Sequence, residues 1–160
     1  MLKEYRKHQE ERRTQGIPAL PLNADQVADL VELIKDPPPE EEDFILDLLT
    51  NRTPAGVDQA AYVKAAFLTD IAKGKLSTSL ISKELATTLL GTMLGGYNIQ
   101  PLIKLLSDEE VGDIAVDALS NTLLIFDAFH DVFELSKKND RAIIFCTGSL
   151  YFAGEILNLN

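Results

Sequence analysis

A chain of 160 residues, 46% apolar and 25% charged, can bury one sizeable core without disulfides or a structural metal, so a single domain over 1–160 is the expectation. Its formal charge of −10 repels phosphate backbones, which disfavours nucleic acid as a partner, and no apolar run nears the roughly 18 residues of a membrane span. One cysteine, Cys146, excludes an intrachain disulfide, and no apolar stretch follows the charged N-terminus as a secretory signal requires; both point to the cytoplasm.

The N-terminal stretch MLKEYRKHQEERR gathers Lys3, Arg6, Lys7, Arg12 and Arg13. Pairs Arg6/Glu10 and Lys7/Glu11, four apart, predict a solvated helix face rather than a basic patch. In LNADQV, Asn23 reads as a helix cap, with Gln26 reaching back to it and Leu22 packing onto Val27. Val27, Leu30, Val31 and Ile34 then make one apolar stripe. The run DPPPEEED stops that helix, because each proline lacks a donor and restricts its predecessor. Acidic residues 40–43 open the next, where the helix dipole favours negative charge, and Phe44, Ile45, Leu48 and Leu49 give it an apolar stripe.

After TPAG, Val57 and Asp58 repeat the staple-and-cap signal before Ala60, Val63, Phe67 and Ile71, and Gly74 closes that helix. Ser82 caps KELATTLLGTML, which the Gly95-Gly96 pair stops. Asn98 caps a short helix bearing Ile99, Leu102, Ile103 and Leu106, with Pro101 tolerated in its first turn. LSDEEV offers a capping box of Ser107 and Glu110, and Ile114, Ala118, Phe126, Phe129 and Phe133 predict a long helix into the mid-130s. Residues 141–160 are rich in β-branched and aromatic residues around Thr147-Gly148 and read as short helices or a hairpin. Helix pairs beginning near 23, 58 and 98 recur at a spacing typical of helical-hairpin repeats. The fold class expected is all-α: an N-terminal helix and linker over 1–22, a HEAT-like α-solenoid over 23–140 and a divergent end, with an irregular helical bundle as the alternative.

Candidates for chemistry are few. Two histidines and one cysteine offer little for nucleophilic catalysis, and no nucleophile elbow, phosphate loop or dinucleotide fingerprint occurs. Asp127, His130, Asp131 and Glu134 share a helix face that suits a divalent metal, although a solvated face opposite the three phenylalanines accounts for them as well. No catalytic residue, metal ligand or cofactor is therefore assigned to the chain. The stretch LLGTMLGGYNIQPLI, residues 89–103, carries the remaining signal. Gly91 permits close helix approach, Gly95 and Gly96 supply a left-handed stop, and Tyr97, Asn98 and Gln100 are candidates for a partner or interdomain surface.

Three segments, GIPALPLNADQV, FILDLLTNRTPAGVDQAAYVKAAFL and LLGTMLGGYNIQPLI, resemble in order and spacing the N-terminal HEAT-like domain of B-type bacterial aconitases, the aconitate hydratase 2 or 2-methylisocitrate dehydratase family. The resemblance covers residues 2–140. It implies an α-solenoid that precedes the catalytic domains of a citric-acid-cycle lyase interconverting citrate and isocitrate through cis-aconitate on a 4Fe–4S cluster. It also implies that the cluster and catalytic groups lie elsewhere than in this chain, which alone is not expected to turn over substrate. The partners implied are the aconitase catalytic domains, a second copy, or other citric-acid-cycle enzymes. Departure from the family comes at the end, where SLYFAGEILN, residues 149–158, replaces a tryptophan-bearing helix. An excised domain, a truncated product and a free-standing adaptor that has lost the enzyme all fit that departure.

Overall fold

In the computed structural model, residues 1–94 and 96–122 are described, and among them every regular element is a helix. They are α1 (Leu2–Thr14), α2 (Ala24–Lys35), α3 (Glu42–Asp47), a π turn (Leu48–Arg52), α4 (Gln59–Ala72), α5 (Lys83–Gly91), α6 (Ile99–Leu105) and α7 (Gly112–Asn121). None of these is long and apolar enough to cross a membrane. Phe126, Phe129, Phe133, the Asp127–His130–Asp131–Glu134 face, Cys146 and the 141–160 segment lie outside the described residues, as does Gly95.

Local signals in the sequence produce most of the helix starts. Asn23 Oδ1 accepts from Gln26 N at 2.9 Å while Gln26 Oε1 accepts from Asn23 N at 3.0 Å, a complete capping box, and both Leu22 and Val27 are buried. Asp58 accepts from the N–H groups of Ala60 and Ala61 at the head of α4, and Ser82 Oγ accepts from Leu85 N at the head of α5. Gly74, at φ +67°, turns the chain out of α4. Val57 does not serve as a staple; it is 67% exposed.

Three terminus assignments change. The helix headed by Ser82 closes at Gly91, ahead of the glycine pair, with Thr92 Oγ1 donating to Leu89 O at 2.7 Å. Asn98 stands in the cap position of α6 but its side chain caps nothing there: Nδ2 donates backward to Leu90 O at 2.8 Å, satisfying a last-turn carbonyl of α5. Ser107 does not head α7 either; Asp108 Oδ1 accepts from the N–H groups of Glu110 and Val111, and α7 starts at Gly112.

Packing centres on α4, which lies against α2 on one side and α5 on the other, with α5 in turn against α7 and α7 against α6. Small residues make this possible: Ala60, Ala61, Ala65 and Ala72 are all buried, so α4 is covered on two faces instead of along the one stripe that its periodicity predicts. The stripe of α2 lies inside as its spacing requires, as do Ile99, Leu102 and Ile103 of α6, but Leu106 falls after the end of α6 and is only half-buried while Leu105 is buried in its stead. At the N-terminus, Arg6 pairs with Glu41 and not with Glu10, through two bonds of 2.5 and 2.6 Å, and its guanidinium lies 4.2 Å from the Phe44 ring centroid. Glu10 is taken by Arg13. Lys7 and Glu11 pair as the spacing predicts, at 3.7 Å.

Candidate interaction surface

The residues that follow α5 and precede α6 are tied to the loop ahead of α4. Leu94 N donates to Ala55 O at 2.9 Å and Tyr97 Oη donates to Val57 O at 3.0 Å. Tyr97 also meets Tyr62 of α4 edge to face, with centroids 5.2 Å apart at 75°. Both rings stay open to solvent, Tyr62 at 49% and Tyr97 at 37%, and Leu94 and Val57 beside them are exposed as well. Below the rings runs a shallow groove of about 280 Å³, walled by Ala65, Ala66, Thr69 and Pro101 with Asp70 at its edge. Exposed aromatic and aliphatic surface of this kind, close to charged residues, marks contact sites in folded proteins.

Of the residues that the sequence nominates for this surface, Tyr97 is at its centre and Gln100 is exposed on the first turn of α6. Asn98 does not belong to it, because its side chain is fully buried between α5 and α6. Gly96, at φ +85°, takes the left-handed backbone, and a Cβ there would come within 2.9 Å of Val57 Cγ1. Gly91 serves packing: a Cβ there would sit 2.6 Å from Ala118 Cβ and 2.9 Å from Ala118 Cα, so α5 and α7 touch backbone to backbone at this point. Tyr62, Val57 and Leu94 escape the sequence reading. For Tyr62 there was a usable signal, since it falls off the Ala60–Val63–Phe67–Ile71 stripe and an aromatic off the stripe faces outward.

Two cationic side chains complete the inventory. Lys64 is 1% exposed on α4 and burial alone pulls its pKa down to about 8. Lys83, by contrast, is held above the ordinary lysine value by hydrogen bonds to Asp108 and Glu110, each at 2.9 Å, and the same contact depresses the Asp108 carboxyl. Among the described residues no group of three histidine, cysteine or carboxylate side chains is arranged to hold a metal ion.

Comparison with known sequences adds the family. The profile of the family described as Aconitate B N-terminal domain matches residues 4–145. The aconitate hydratase B of Escherichia coli is 60% identical over 137 residues, 86% of this chain and 16% of that protein. That of Pseudomonas aeruginosa is 58% identical over 142 residues, 89% of this chain and 16% of that protein. The Helicobacter pylori aconitate hydratase B is 46% identical over 141 residues, again 16% of its length. The chain thus spans about a sixth of the curated relatives it matches. The all-helical order of elements, the buried stripes and this similarity over residues 4–145 agree, and the chain belongs to the aconitate B N-terminal domain family.

Proposed function

We propose that the chain is the N-terminal, HEAT-like interaction module of a B-type aconitate hydratase and acts by contact with the catalytic part of that enzyme. Membership of the family across residues 4–145 carries the reading. The exposed surface built by Val57, Tyr62, Leu94 and Tyr97 supplies the contact face, and hairpins tied corner to corner suit a solenoid-like stack. The enzyme interconverts citrate and isocitrate through cis-aconitate in the cytoplasm. A 4Fe–4S cluster of the family's kind does not fit this chain, whose one thiol, Cys146, cannot supply the several thiolates such a cluster takes. The cluster and the hydration chemistry then belong to the catalytic domains, and the module contributes surface.

The test pairs the 160-residue chain with the remainder of the Escherichia coli relative, made without the segment that matches. Calorimetry should detect a complex, and Tyr62→Ala, which leaves the Tyr97–Val57 bond in place, should weaken it at least tenfold, about 1.4 kcal/mol, while leaving the melting temperature nearly unchanged. The isolated chain should leave cis-aconitate unconverted. Absence of any complex at high micromolar concentration, or turnover by the chain alone, sinks the reading.

A further inference from the structure

A second groove, away from the tyrosine pair, runs along α1 and the linker after it. It has a volume of about 450 Å³, and its walls include Arg6, Gln9, Glu10 and Arg13 of α1, Pro18 of the linker, and Arg52 from the end of the π turn. Three guanidiniums on one groove would repel one another unless each found a carboxylate. Two have done so: Arg6 is neutralised by Glu41, and Arg13 by Glu10, each bidentately.

Arg52 has not. Among the described residues its side chain takes part in no ion pair or hydrogen bond, and its Nε is completely buried without a partner. Asp47, one helical turn earlier, engages Asn51 Nδ2 at 2.8 Å instead. A buried donor with no acceptor carries the full desolvation cost of that group, which a native structure normally recovers from water, an ion or a ligand. The neighbouring arginines keep donors in reserve: Arg6 bonds Glu41 only through its terminal nitrogens, leaving Nε–H free of that pair, and Arg13 uses Nε and one terminal nitrogen, leaving the other. Tyr5, beside Arg52, donates its hydroxyl to Leu20 O at 2.6 Å, and its oxygen makes no hydrogen bond with Arg52 Nε.

From this geometry we infer that the groove is a binding site for a compact oxyanion, a carboxylate or a phosphate, seated on the Arg52 fork and flanked by the spare donors of Arg6 and Arg13. Forked oxygens match the parallel N–H groups of a guanidinium, and the Pro18 wall offers an apolar surface to the remainder of a small organic acid. The inference does not depend on the contact role proposed for the tyrosine surface.

Arginine Nε–H groups give their own nitrogen-15 NMR signals, so the site can be read directly. The full 160-residue chain is titrated separately with inorganic phosphate, citrate and cis-aconitate, at fixed ionic strength and pH. The expected result is a saturable shift of the Arg52 Nε–H signal with at least one of them; the arm that saturates first distinguishes phosphate from carboxylate. Arg52→Gln should weaken that ligand at least tenfold, and Arg52→Lys, which keeps the charge but loses the fork, by a smaller factor. Thermal melting of both variants reports whether they fold; should Arg52→Gln fail to, Arg52→Lys carries the test. Shifts that stay linear with every anion, or affinities the same in wild type and a folded variant, overturn the site. Complex formation with the catalytic part can fail or succeed independently of this outcome.

Discussion

Lys64 is a costly residue to place. Its neighbours on α4, Ala60, Ala61 and Leu68, are buried with it, and among the described residues no opposite charge offsets the loss of water. A folded-state pKa of about 8 against the ordinary 10.5 means that the unfolded chain binds more protons between those values, so stability rises as the pH climbs through that window. Below it both states are protonated and the penalty is constant, on the order of 3 kcal/mol. Lys64→Met, close in length and without charge, should therefore raise unfolding stability at pH 7 by up to that amount, and the gain should shrink at pH 9.5. Urea denaturation at both values checks this; a gain equal at both would rule out the charge as its source. The sequence hides this residue, since a lysine between Val63 and Ala65 on an amphipathic helix reads as a solvent-facing side chain. Asn98 is similar. Its type was right for a cap, but only the fold decides that the amide turns back to α5.

Between elements, the decisive contact is α5 against α7. Glycine to alanine in a helix ordinarily stabilises by about 0.5–1 kcal/mol through backbone entropy. At Gly91 the added methyl would overlap Ala118, backbone included, and overpacking of this kind costs about 1–3 kcal/mol. The second effect is larger, so Gly91→Ala should lose roughly 1–2 kcal/mol in chemical denaturation. Adding Ala118→Gly should recover part of it, and a stabilising Gly91→Ala would show that the helices do not meet there. That Gly91 packs closely was legible, as were the caps at Asn23, Asp58 and Ser82, because each depends on residues within one turn. The start of α7 was not. Ser107 and Asp108 are both good capping types, and the choice of Asp108 reflects Lys83, a residue on another helix that draws the carboxylate into place.

At the scale of the whole molecule, several of the described carboxylates are held by ion pairs or hydrogen bonds. Glu10, Glu41, Glu84 and Asp108 all have pKa values lowered in the folded chain, the largest cause being a hydrogen bond from Arg13, Arg6, Ser82 and Lys83 respectively. A lowered folded pKa gives stability that is full above the unfolded carboxylate range and disappears as the pH falls through the folded values, so the chain should lose stability as acid titrates these carboxyls. Asp108→Asn keeps one oxygen for the Glu110 and Val111 N–H groups but removes the charge facing Lys83. Its melting temperature should fall less than that of the wild type between pH 5 and pH 3, and parallel acid limbs would exclude Asp108 as a contributor. At this scale the all-helical class followed directly from the spacing of apolar residues, and the family from three short segments. What spacing could not convey was the double covering of α4, since alanine reads as neutral in any periodicity and becomes core only when two neighbours close over it.

The two bonds that join Ala55 to Leu94 and Val57 to Tyr97 fasten the chain to itself across a closed circuit containing all of α4 and α5. While the clasp holds, a helix that opens inside such a circuit gains less chain freedom, and undoing the clasp restores that freedom to the entire loop. The tyrosine pair sits on that clasp, so anything that grips the rings from outside holds α4 and α5 shut as a single cooperative segment.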